Sequence, residues 1–220
     1  MNLQNSTTGR PRRQLMLTAT LAAALLSSAC APLVIGGAMV GGVMVASDRR
    51  TSGTQVEDQG IEFKASSRIK AQLSDSAHVT VSSYNRLVLL TGEVPTEADR
   101  AKLESVVSGV DNVRSVLNET SVMPASSLGS RSNDMLISGK VKASLLDAPE
   151  LISSAFYVVV ERGTVYMMGR VTEREASRAA AIARSISGVQ KVVRAFDLIS
   201  EEELARIVPA PAQSAKPAMP

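Results

Sequence analysis

Apolar residues recur four apart at Ala65, Ile69 and Leu73, and again at Ile137, Val141 and Leu145. That spacing predicts one buried face of an α-helix in each stretch. Each stripe is followed by alternating apolar and polar residues, "HVTVSS" in the first case and "FYVVVE" in the second. Alternation predicts a half-buried strand. A turn at Asn85–Arg86, or at Arg162–Gly163, leads into a second strand, "LVLLTGEV" or "TVYMMGRV". Asn and Gly tolerate the positive φ that such hairpin turns demand. A second helix opens at Thr172 with Glu175 three residues on, a capping box, and Thr96 and Asp99 hold the same places earlier. This makes the acidic cluster "TEREA" a helix start rather than a general acid. Before each last strand stands Asn112 or Gly188, suited to a left-handed backbone.

The two stretches are copies. "RIKAQL" (68–73) matches "KVKASL" (140–145), "LLTGEV" (89–94) matches "YMMGRV" (166–171), and "GVDNVRSV" (109–116) matches "SISGVQKV" (185–192). The order is the same in both, so residues 61–122 and 133–199 are duplicates of one αββαβ unit. "MPASSLGSRS" (123–132) is the linker. The fold class is therefore α+β in two tandem modules.

Upstream, "GRPRRQ" is a basic region, "LMLTATLAAALL" an apolar one and "SSA" a run of small residues. Residues 1–29 read as a secretory signal peptide. "RRQLML" also resembles the twin-arginine export motif, so two export routes stay open. The leader changes the charge argument. The chain has 24 basic and 21 acidic residues, but Arg10, Arg12 and Arg13 belong to the leader, which has no acid. Without it the count is 21 of each, and nucleic acid is dropped as a partner.

Cys30 is the only cysteine and His78 the only histidine. They exclude an internal disulfide and leave no ligand set for structural zinc or an iron–sulfur cluster. No metal or other cofactor is expected. Small residues and a cysteine directly after an apolar run resemble the lipobox of bacterial lipoproteins. The resemblance implies that Cys30 becomes the lipid anchor, its thiol consumed in a thioether; the other reading is a plain buried thiol. Ala31 follows, not Asp, which by the same resemblance favours the outer membrane. Residues 33–46, "LVIGGAMVGGVMVA", are too few and too glycine-rich for a transmembrane helix. Residues 30–60 are expected to form a flexible tether, extending at most roughly 100 Å and averaging about 30 Å as a coil.

The frame of helix, hairpin ending in "TGEV" or "MGRV", helix and "SGVxxV" resembles the BON domain. Residues 52–60, 132–134, 171–176 and 187–192 carry the likeness most specifically. Two copies behind a lipobox resemble the dual-BON outer-membrane lipoproteins. The resemblance implies a small three-stranded mixed sheet with two helices on one face in each module. It also implies a periplasm-facing protein that binds anionic phospholipid, supports envelope integrity and has no catalytic residues.

Family likeness places the lipid contact on the first helix of the second module. The repeat match sets Leu136 against Lys64, so Leu136 lies beside the buried stripe and is expected to be exposed. Arg131, Met135, Leu136, Lys140, Lys142 and Ser144 are the candidate contacts for a phosphatidylglycerol-like lipid, an apolar wedge beside basic side chains. The competing reading packs Leu136 on the other module or the linker. The loop "DAPELISSA" (147–155) can join either surface. His78 reads as a surface residue. No nucleophile elbow, P-loop, HExxH or dinucleotide fingerprint supports an enzyme. The alternative function is a protein adaptor, docking on an outer-membrane assembly machine or on itself. The end of the chain, residues 200–220, reads as a disordered tail, within which "EEELARIV" (201–208) either adds a helical turn or stays solvated.

Overall fold

The computed structural model describes residues 48–73 and 77–207. The signal peptide, Cys30, the tether up to residue 47 and the tail from residue 208 lie outside the described residues. Module one comprises α1 (Ser52–Gln72), β1 (His78–Tyr84), β2 (Leu87–Val94), α2 (Glu97–Ser108), β3 (Ser115–Asn118) and β4 (Ser121–Val122). Module two comprises α3 (Leu128–Leu146), a 3₁₀ turn (Ser153–Ala155), β5 (Tyr157–Glu161), β6 (Thr164–Val171), α4 (Glu173–Ser185) and β7 (Lys191–Leu198). A short α5 (Glu201–Ile207) follows.

Both sheets are mixed. In each, a hairpin is extended by a parallel final strand, β1-β2-β3 with β4 also on β2, and β5-β6-β7. Module one's final strand is split because Asn118 turns its side chain back. Its Oδ1 accepts from the Thr120 backbone N–H at 3.2 Å and from the Thr120 hydroxyl at 2.6 Å. That local bond competes with the ladder.

The helices start earlier than the sequence boundaries. Thr51 caps α1, accepting from the Thr54 N–H at 3.1 Å, so residues 52–60 are helix where a tether was expected. Ser127 caps α3 likewise at 3.2 Å, taking residues 128–132 out of the linker. Both hairpin turns fall where predicted, with positive φ at Asn85 and Arg86 and at Arg162 and Gly163.

A buried aspartate on each first helix holds these turns. Asp58 accepts the backbone N–H groups of Asn85 and Arg86, and Asp134 those of Arg162 and Gly163, all at 2.8 Å. This fixes the true repeat register. Asp58, Ile61, Ala65 and Ile69 are buried in module one, and Asp134, Ile137, Val141 and Leu145 in module two. Leu136 thus matches Gly60, and Lys140 matches Lys64. The expected pairing of Leu136 with Lys64 is one turn out of register. A four-residue stripe looks the same after a slip of one turn, whereas a carboxylate bonded to a turn does not.

Strand alternation then builds three cores. Val88, Leu90 and Val94 pack under α1 and α2, and Val165, Met167 and Val171 under α3 and α4. The opposite faces meet each other: Tyr84 and Leu89 pack on Tyr166 and Met168, with Leu87, Leu117, Val159 and Val193 around them. The layers therefore run helices, sheet, sheet, helices. The loop 147–155 joins module two's core, with Ala148, Leu151 and Ala155 buried in it.

Polar contacts lock the junction at both ends. Arg49 reaches Glu175 of α4 through two bonds of 2.7 and 2.8 Å and also donates to the Arg170 carbonyl at 3.0 Å. Asn85 donates to Asp197 at 2.7 Å. At the other end, fully buried Glu93 accepts from Arg162 at 3.0 Å and lies 3.2 Å from His78 Nδ1. His78 is thus a half-buried junction residue, not the surface residue expected. None of α5's residues is buried; ion pairs of Arg170 with Glu203 and Arg174 with Glu201 hold it.

Candidate functional site

Three faces of α3 follow from its residues. Asp134, Ile137, Val141 and Leu145 face the sheet. At about 100° per residue, Leu128, Met135 and Leu146 form a stripe on the far side, with Leu136 about a quarter-turn round. All four are exposed, from 64% for Leu136 to 81% for Leu128. Lys142 and Arg131 flank this ridge beyond Met135, and Lys140 flanks it beyond Leu136. Ser144 is half-buried and lies off the ridge, on the side that turns back to the sheet. The packing reading of Leu136 therefore fails: neither the other module nor the linker covers it.

The charges on the ridge are available. Neither Lys140 nor Lys142 has an ion-pair partner among the described residues, and the Arg131 Nε donates only to the Ser126 hydroxyl, at 3.2 Å. Duplication provides the control in the corrected register. Lys64, the counterpart of Lys140, sits 3.4 Å from Asp111. Gln55, Gln59 and Ser66 occupy the places of Arg131, Met135 and Lys142. At these matched positions module one is polar where module two is apolar or cationic, although Val56 and Phe63 are exposed elsewhere on the outward face of α1.

That side of α3 borders a cleft of about 490 Å³ lined by His78, Arg131, Asp134, Met135, Lys142 and Glu161. Its module-one counterpart, beside Gln55, Gln59 and Glu62, is about 160 Å³. Burial holds the Glu161 carboxyl above the usual carboxylate range, and the nearby Glu93 and Asp134 add to it. Among the described residues no hydrogen bond pairs a nucleophile with a base in this cleft. Among the described residues no group of three acids, cysteines or histidines is placed to hold a metal ion.

Comparison with known proteins settles the family. The BON domain model matches residues 57–124 and 133–199. The chain belongs to the BON-domain family. It is 36% identical over 182 residues, 82% of this chain and 94% of the other, to Outer membrane lipoprotein DolP of Haemophilus influenzae. It is 30% identical over 154 residues, 69% of this chain and 79% of the other, to a 21 kDa hemolysin of Actinobacillus pleuropneumoniae. It is also 30% identical over 161 residues to Osmotically-inducible protein Y of Escherichia coli, covering 69% and 77% of the two chains. This dual-BON chain is an outer-membrane, lipid-anchored protein that faces the periplasm. No helix among the described residues is long and apolar enough to cross a membrane.

The likeness of each BON module was legible from "TGEV", "MGRV" and "SGVQKV". Leu128 was missed as a ridge residue because the sequence boundary began the module at residue 133, and the signal for it was Ser127, a helix cap, three residues before Ser130.

Proposed function

We propose that the protein is a non-catalytic, lipid-anchored periplasmic protein whose α3 ridge binds anionic phospholipid of the phosphatidylglycerol type and thereby supports outer-membrane integrity. Cys30 supplies the permanent attachment through acyl chains, and α3 supplies selective contact. Met135, Leu136, Leu128 and Leu146 enter the interface, each contributing up to about 1.5–3 kcal/mol if fully removed from water. Lys140, Lys142 and Arg131 meet the phosphates, at about 1 kcal/mol per cation. The observation that carries this reading is the exposed apolar ridge between unpaired lysines, beside a module-one helix in which the matching lysine is neutralised by Asp111.

Co-sedimentation with phosphatidylglycerol vesicles tests it. The wild type binds, and binding weakens steeply as salt rises. Leu136→Glu with Lys140→Glu lowers the bound fraction at least tenfold. Equal binding by that variant ends the assignment.

A second reading, protein docking, is favoured by α1. Val56 and Phe63 are exposed on its outward face, Phe63 to 74%. An adaptor surface on an outer-membrane assembly machine, or on a second copy, would use these residues and would be insensitive to salt.

A further inference from the structure

A second cleft adjoins the α3 site. It measures about 640 Å³, within the range of small-molecule sites, and lies where the end of module one's sheet meets the linker. Pro95, Met123, Pro124 and Ala125 form its apolar walls; among the described residues, His78 and Arg131 are its only polar lining residues and no acid lines it. His78 and Arg131 also line the cleft beside α3, so the apolar cleft opens next to the cationic flank of the ridge.

We propose that this inter-module cleft holds one anionic phospholipid molecule: its phosphate on Arg131, with His78 beside it, and the start of an acyl chain along Met123, Pro124 and Pro95. The chemistry is that of an amphiphile site, an apolar trough with a guanidinium and an imidazole among its lining groups. Arg131 suits the phosphate because its guanidinium offers a planar fork of donors and, among the described residues, only Nε is engaged, by the neutral Ser126 hydroxyl. His78 comes from module one and Arg131 from module two, so the site exists only when both modules are docked. The proposal deepens the lipid reading of α3 and rests on it for the choice of ligand. It adds what a flat membrane surface cannot demand, a stoichiometric seat for a single lipid. Glu161, in the neighbouring cleft, opposes an anion there.

The test uses the chain from residue 48 to 207, which contains all three packed cores, and monomeric probes. A twelve-carbon lysophosphatidylglycerol is titrated below its micelle concentration by calorimetry. Glycerophosphoglycerol (the headgroup alone) and lysophosphatidylcholine of the same chain are titrated beside it. The expected result is saturable one-to-one binding of the anionic lipid, at least tenfold tighter than either comparison probe. Arg131→Gln weakens it at least tenfold. Ala125→Trp, which fills the trough from an exposed loop position, does the same with an unchanged thermal transition, and Glu161→Gln tightens binding two- to fivefold. Leu136→Glu with Lys140→Glu keeps the monomer bound while losing vesicles, which separates the cleft from the ridge. Wild type that takes the monomer and ignores vesicles defeats the ridge and leaves the cleft standing. Equal affinity for the headgroup alone, or wild-type affinity in both Arg131→Gln and Ala125→Trp, overturns the cleft.

Discussion

At Gly92 a β-carbon would stand 2.1 Å from the His78 carbonyl oxygen, and at Gly169 one would stand 2.3 Å from that of Ala155. Both glycines have positive φ. Here the second hairpin strand presses against the start of the first, which explains the glycine of "TGEV" and "MGRV" by geometry alone. Gly92→Ala should cost at least about 2 kcal/mol in urea unfolding, since strain and overlap act together. Leu136 is the opposite case. It touches no core, so Leu136→Glu should change stability by less than about 0.5 kcal/mol while lipid binding falls. A large loss of stability in that variant would mean that the side chain packs somewhere. The turns and the left-handed Asn112 and Gly188 were readable from residue type, because each has one dominant backbone reason, whereas the close approach at Gly92 and Gly169 shows only once the strands are paired. Asp58 and Asp134 were not, because an aspartate inside a helix looks like a solvated charge until the turn it serves is seen.

At the scale of the element, α4 shows how far local chemistry reaches. Its capping box forms as read from Thr172 and Glu175. The same Glu175 also accepts Arg49 across the junction. Thr172→Ala should cost about 1 kcal/mol through the lost cap. Burial alone would raise the Glu175 carboxyl, but the Arg49 bonds, the Thr172 N–H and the cation's charge bring it below its ordinary value. A depressed carboxyl contributes stability that is present above the ordinary carboxylate range and lost as pH falls through the lowered value. Acid titration of stability should therefore show a limb below about pH 4.3 that Glu175→Gln removes. A limb unchanged in that variant would assign it elsewhere. The helix stripes were legible, yet their register was not: a four-residue period is satisfied equally by Ile61, Ala65 and Ile69 or by Ala65, Ile69 and Leu73.

For the whole molecule, the decisive fact is that the sheets pack face to face and leave α1 and α3 on outer layers. No pattern along the chain distinguishes a strand face that meets another sheet from one that meets helices, since both are apolar. The face that meets the other sheet carries buried Tyr84, Leu89, Tyr166 and Met168. Arg49 and Glu175 tie the residues before α1 to module two. Arg49→Met should leave each module's core intact but loosen the junction, seen as faster amide exchange in β2 and β6 with little change in the helices. Uniform exchange in all elements would make the junction part of one cooperative unit.

Lipid contact through α3 rather than α1 is the central claim. The most direct measurement is amide-signal broadening by phosphatidylglycerol vesicles that carry a nitroxide-labelled lipid. Broadening centred on Leu128, Met135, Leu136 and Leu146, with Val56 and Phe63 unaffected, is the predicted result. Broadening centred on Val56 and Phe63, or none on either helix, would contradict it.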